Sequence, residues 1–172
     1  MDTVNVLILE PDPGQREKLA ACLSREVGFR IVGAGDNFLG IIQLPILQRS
    51  PVDVLLVNID QPKMAETKIW AAIRLLLPGT RIVALATGND VRVLEFALSA
   101  DVTALHRPDV EPDILRRAVR NAAQGVRDYD PWLIERVKPV LMRPSEETQI
   151  RVGELTIDLQ AQEVTLGASP SF

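Results

Sequence analysis

Three carboxylates stand close behind apolar runs. Glu10 and Asp12 follow Val4-Asn5-Val6-Leu7-Ile8-Leu9, and Asp60 follows Val54-Leu55-Leu56-Val57. Carboxylate oxygens grouped in this way suit a hard cation such as Mg2+, which takes one or two of them and keeps several waters. The same residues have a plainer use, with Asp12 capping a helix that begins at Pro13 and Asp60 decorating a solvated loop. The plainer use is preferred, so the sequence is read as holding no metal and no cofactor. A single cysteine, Cys22, excludes an internal disulfide and a multi-cysteine zinc site, and a single histidine, His106, leaves no His-rich metal site. His106 has no Ser or Cys nucleophile in a recognisable arrangement, so it reads as a packed or hydrogen-bonded side chain. No catalytic residue is assigned, and the chain reads as other than an enzyme.

The elements that must position these residues follow from period and punctuation. Val4 to Leu9, Phe29 to Ala34, Val52 to Val57, Arg81 to Ala86 and Val102 to His106 are short Val/Ile/Leu-rich runs with little polar alternation, as in strands buried on both faces. Helical patterns lie between and after them, at about 13–27, 37–49, 65–77, 90–100 and 111–125. Pro112 fits a first helical turn and Gly125 fits the position just past a helix end. The alternation predicts a doubly wound α/β domain over 1–125 with a five-stranded parallel sheet, its site at the carboxyl ends of the strands. A linker with a short helix starting at Asp130-Pro131 is expected over 126–148. Residues 149–172 change period: Ile150, Val152, Leu155, Ile157 and Val164 alternate with polar residues, as in a small antiparallel β appendage.

Composition removes other classes. At 47% apolar and 24% charged residues the 172-residue chain is globular in type, and its formal charge of −4 argues against coating nucleic acid by basicity alone. No apolar run reaches the roughly 18 residues of a membrane span, and the amino terminus lacks an export signal, so a cytoplasmic location without a membrane partner is expected.

Residues 1–125 resemble the receiver domain of two-component response regulators. The resemblance rests on VLILEPDP (6–13), SPVDVLLVNIDQP (50–62), RIVALATGND (81–90), HRP (106–108) and EPDILRRAVRNAAQG (111–125), in the family's order. It implies a flavodoxin-like fold. It also implies a phosphoryl-accepting aspartate ending the third strand, an acidic pair after the first that helps hold Mg2+, a Thr or Ser ending the fourth, and a Lys ending the fifth. Here those positions carry Asn58, Glu10-Pro11, Ala86 (with Thr87 following) and Arg107. An amide cannot form the acyl phosphate, and arginine keeps the charge of lysine with a different reach. The chain is accordingly read as a pseudo-receiver whose degenerate pocket comprises Glu10, Pro11, Asp12, Asn58, Asp60, Ala86, Thr87 and Arg107. If Arg107-Pro108 matches the family's Lys-Pro pair, the resemblance also implies a cis peptide bond there.

The tail is similar to the opening strands of an OmpR/PhoB-type output domain, while GVRDYDPWLIERV (125–137) is closer to the segment after NarL-type receivers. The first similarity implies a winged helix-turn-helix beyond Phe172 that binds DNA, and a parent chain longer than this one. It implies a homodimer as well, in which Arg92, Glu95 and Asp101 meet Arg116, Arg117 and Arg120 across a two-fold axis. The segment 38–47 is unusually apolar and contains Pro45. It reads equally as a kinked helix folded over the sheet or as a partner patch centred on Ile42 and Leu44.

The functional expectation is an atypical response regulator, a phosphorylation-independent receiver mediating dimerisation or signal sensing in a DNA-binding transcriptional regulator. Two alternatives stand beside it. One is an adaptor that acts only by protein contacts. The other is a small-molecule sensor using the emptied pocket around Glu10, Asn58 and Arg107 for a metabolite.

Overall fold

The computed structural model describes residues 3–43, 50–61, 64, 66–141, 149–152, 155–158 and 163–166. The apolar runs form β1 (Val4–Leu9), β2 (Phe29–Gly35), β3 (Val54–Asn58), β4 (Arg81–Leu85) and β5 (Ala104–His106), all paired in parallel. A sixth strand, β6 (Asp128–Tyr129), adds in parallel to β5, giving the order β2-β1-β3-β4-β5-β6. The doubly wound α/β architecture is as expected, with one strand more than the apolar runs announce. The crossovers run in opposite directions from β1, so the topological switch point, where such sheets place their sites, lies at the carboxyl ends of β1 and β3.

Alternation along each strand feeds two cores. Val6, Ile8, Val54, Leu56, Val83 and Leu85 face one layer, formed by α1 (Pro13–Ser24) and α5 (Pro112–Ala123). Leu7, Leu9, Leu55, Val57, Ile82 and Ala84 face the other, formed by α2 (Phe38–Ile42), α3 (Thr67–Leu76) and α4 (Val91–Ser99). Both faces are covered, which is why these strands carry almost no polar residues. On α5, Leu115, Ala118, Val119 and Ala122 recur at helical spacing and are buried, leaving the arginines between them to solvent and to ion pairs. Trp70 anchors α3, buried, with Nε1 donating to the Met64 carbonyl at 2.6 Å. No helix among the described residues is long and apolar enough to cross a membrane.

The helix starts obey local chemistry. Asp12 caps α1 by accepting from the Gln15 N–H at 2.6 Å, with Pro13 in the first turn. At its carboxyl end α5 closes in a Schellman turn. Gly125, at φ 75°, donates to Ala122 O, and Val126 N donates to Asn121 O at 2.9 Å.

Gly125 does not end the domain. After β6, α6 (Pro131–Leu141) buries Leu133 and Val137 in the core shared with α3 and α4, and the first compact unit runs to Lys138. The expected boundary at 125 therefore falls inside this unit. The second unit, Pro139–Phe172, holds a three-stranded antiparallel sheet of β7 (Gln149–Val152), β8 (Leu155–Asp158) and β9 (Glu163–Leu166). Its register sets Ile150 opposite Ile157 and Ile157 opposite Val164. The helix expected over 37–49 is described as far as Ile42. Leu44 and Pro45 lie outside the described residues, as does the side chain of Ile42, and the apolar patch falls there.

Candidate functional site

The carboxyl ends of β1 and β3 bring a buried Glu10 against a half-buried Asn58. Glu10 is 1% exposed. Its Oε2 accepts from Asn58 Nδ2 at 2.9 Å, and its Oε1 accepts from the Asp12 N–H at 3.0 Å. Asn58 Oδ1 accepts in turn from the Asp60 N–H at 3.0 Å, so both ends of the amide are engaged. Arg16 Nη1 donates to the Glu10 carbonyl at 2.7 Å and ties α1 to the end of β1. A buried carboxylate is costly unless its oxygens are hydrogen-bonded, and here both are.

The other acidic residues turn away from this pair. Asp12 is exposed and occupied as the cap of α1. Asp60 is exposed and accepts from the Thr87 N–H at 2.8 Å, joining the loops after β3 and β4. Pro11 is exposed between Glu10 and Asp12. Among the described residues, no three acidic, His or Cys side chains stand where they would hold a metal ion. Ala86 is buried and donates its N–H to the His106 carbonyl at 2.9 Å, while Thr87 is exposed.

Arg107 goes elsewhere. Its Nε donates to Asp130 Oδ2 at 2.9 Å, and its guanidinium lies 5.5 Å from the centroid of the Trp132 ring. The arginine at the family's lysine position thus serves the start of α6. Asp130 also caps that helix, accepting from the Trp132 N–H at 2.9 Å. No peptide bond among the described residues is cis, so the cis Arg107–Pro108 bond implied by resemblance is absent. The pocket set of Glu10, Asn58 and Arg107 is therefore split, with the first two in contact and the third held by the β6–α6 segment.

His106, which ends β5, is 4% exposed. Its Nε2 lies 3.2 Å from Asp128 Oδ1 but out of line for a hydrogen bond. Burial pushes its pKa below the ordinary 6.5, against the opposing pull of Asp128 and Asp130. Asp128 is faced by Arg117 Nε at 3.5 Å and by Asn121 Nδ2 at 3.1 Å. Spacing in the sequence gave no signal for Asp128 or for Arg136, whose Nε donates to the Gly88 carbonyl at 2.7 Å.

The residues assigned to a two-fold face are not gathered into one free stripe. Arg116 and Arg120 pair with Glu26, just after α1, and Arg116 also pairs with Asp113. Arg117 pairs with Asp128, Arg92 with Asp90, and Asp101 with Arg127. Glu95 is half-buried on α4. All of these charges but Glu95 have an ion-pair partner within the chain.

No protein-family model matches the chain, and no curated protein matches it. Solved structures do, and they define the class: the chain has the response-regulator receiver fold. The isolated REC domain of RcsB from Salmonella enterica serovar Typhimurium, solved with phosphomimetic BeF3−, matches with a TM-score of 0.66 at 17% identity, over 79% of this chain and 99% of that one. The signal receiver domain of a NarL response regulator from Mycobacterium tuberculosis matches at 0.62 and 22% identity, over 73% and 99%. RcsB in a structure of two dimers bound to two parallel DNAs matches at 0.68 and 18% identity, over 80% and 69%.

Proposed function

We propose that this chain is an atypical response regulator whose receiver-fold unit works without aspartyl phosphorylation. The reading is carried by one observation: the side chain ending β3 is the amide of Asn58, closed onto Glu10 Oε2 at 2.9 Å. A receiver's phosphoacceptor must be a carboxylate nucleophile, and two facing carboxylates need a cation between them. The amide removes the nucleophile, and its N–H takes the place of that cation. The domain is then a permanent binding module rather than a phosphoryl-transfer device, and no reaction is assigned to it.

The wider role belongs to the same reading. It is a cytoplasmic transcriptional regulator, its DNA contacts made by a winged helix outside residues 1–172. The DNA-bound RcsB dimers among its structural neighbours support DNA and a second copy as partners. The face of Arg92, Glu95, Asp101, Arg116, Arg117 and Arg120 remains the two-fold contact of this reading, since the partly exposed ion pairs of the arginines within the chain are weak enough to exchange for partners on a second copy.

Incubation with acetyl phosphate and Mg2+, followed by intact-mass measurement, tests the proposal. The expected spectrum shows the unmodified chain alone. A stable phosphoryl adduct mapped to the peptide containing Asn58 and Asp60 would overturn it.

A further inference from the structure

Beyond Gly125 the backbone turns back along the free edge of β5. Asp128 N donates to Thr103 O at 3.1 Å and Asp130 N to Leu105 O at 2.8 Å. Tyr129 reaches inward, its hydroxyl donating to the Val102 carbonyl at 2.9 Å. The helix that follows lands on the turn between β4 and α4. Trp132 and Leu133 lie against Gly88, whose φ of 78° and missing Cβ make room for them. A Cβ there would stand 2.8 Å from the Trp132 ring and 2.9 Å from Leu133. The Trp132 ring carries the Arg107 guanidinium at 5.5 Å and that of Arg136 at 5.0 Å.

This seam is held differently from the rest of the sheet. Only Leu133 and Val137 of the segment are fully buried apolar side chains. Its other ties are polar and graded: Asp130 is buried and Asp128 and Tyr129 half-buried, whereas the Arg107 side chain is 47% exposed and Arg127 and Asp101 pair at 64% and 69% exposure. Pairs of that kind contribute little. Strands β1 and β3, by contrast, are covered on both faces by whole helices. Segments with few buried contacts open at a lower free energy than the core around them.

We propose that residues 126–138 form a strap that detaches from the β5 edge as a unit. Arg107 is its clasp at the carboxyl edge, and the strap's state sets how much free chain tethers the unit beginning at Pro139. The clasp joins the end of β5 to the first turn of α6, so one side chain at the site's edge governs the linker. Released, the strap adds on the order of 40 Å of extendable chain between the two units. The inference does not depend on Asn58 being unphosphorylatable.

Native-state hydrogen exchange of the full chain in graded urea tests it. The Asp128 and Asp130 amides are expected to exchange through an opening with a shallower urea dependence than the Leu7 and Leu55 amides. In Arg107→Ala their exchange rises several-fold while Leu7 and Leu55 are unchanged. A common urea dependence for both sets in the unaltered chain overturns the strap, whatever the variant does. Equal acceleration of all four amides in Arg107→Ala, or none, overturns the clasp.

Discussion

Two junctions share the carboxyl edge of the sheet and use similar polar groups to opposite ends. Between β1 and β3, the buried Glu10 meets the half-buried Asn58, with both carboxylate oxygens, the amide oxygen and one amide N–H engaged by groups of the same pocket. Between β5 and β6, Arg107 reaches the largely buried Asp130 from the surface and keeps nearly half its own area in water. Desolvation separates the two. A hydrogen bond to a buried carboxylate cannot be replaced by water when it is lost, so the first junction is a lock. A half-exposed arginine is rehydrated more cheaply on leaving its partner, so the second is a clasp.

The lock predicts the largest effect. Asn58→Asp sets a second carboxylate against Glu10 Oε2 and removes the N–H that satisfied it, and the variant is expected to lose roughly 2–4 kcal/mol at pH 7. Urea unfolding measures this. Added Mg2+ should recover part of the loss, since a divalent cation bridges facing carboxylates where an amide no longer does. A variant as stable as the parent in metal-free buffer would show that the Glu10–Asn58 contact is dispensable and erase the contrast between the two junctions.

A pair of glycines isolates the strap side. Gly88 and Gly79 have nearly the same backbone, at φ 78° and 79°, but a Cβ at Gly79 meets nothing within 4 Å. Replacing either by Ala costs about 1–2 kcal/mol for the left-handed conformation. Gly88→Ala carries an added cost from moving Trp132 and Leu133. The expected result is a larger loss for Gly88→Ala, with a blue or red shift in Trp132 emission that Gly79→Ala lacks. Equal losses and unchanged emission would mean that α6 yields freely at this contact.

The lock was readable in the sequence and the clasp was not, for a physical reason. Buried parallel strands leave a strong mark, because both faces demand Val, Leu or Ile, and all five such runs are strands within a few residues of their expected ends. Glu10 and Asn58 stand at the ends of two of these runs, so strand order alone brings them together. Asp128–Tyr129 carries no apolar run, since a two-residue edge strand gains its place from backbone bonds and from Tyr129 rather than from a period. The intrachain partners of the α5 arginines left no mark because they are distant in sequence: Glu26 lies 94 residues from Arg120. The partner of Arg107, Asp130, is 23 residues away, and nothing in their spacing marks the pair. The boundary at Gly125 failed on the same ground. A Schellman glycine ends a helix, which says nothing about whether the next segment leaves the core.

The smallest effect concerns His106, the chain's one histidine, at the back of the clasp. Burial holds its pKa below 6.5 in the folded chain, so the fold favours the neutral ring. As pH falls through 6.5 the unfolded chain takes up a proton that the folded chain still refuses, and stability declines until the folded pKa is passed. Asp128 and Asp130 face the ring and oppose this shift, and Arg117 reinforces it, so the slope is modest. In His106→Gln the decline between pH 7 and pH 5.5 should flatten, whatever the absolute stability of the variant, because no other side chain here titrates in that window by its ordinary value. Urea midpoints across the range decide it. A parent chain that grows more stable on acidification would reverse the sign, placing the His106–Asp128 attraction above desolvation, and would make β6 the tighter of the two junctions at low pH.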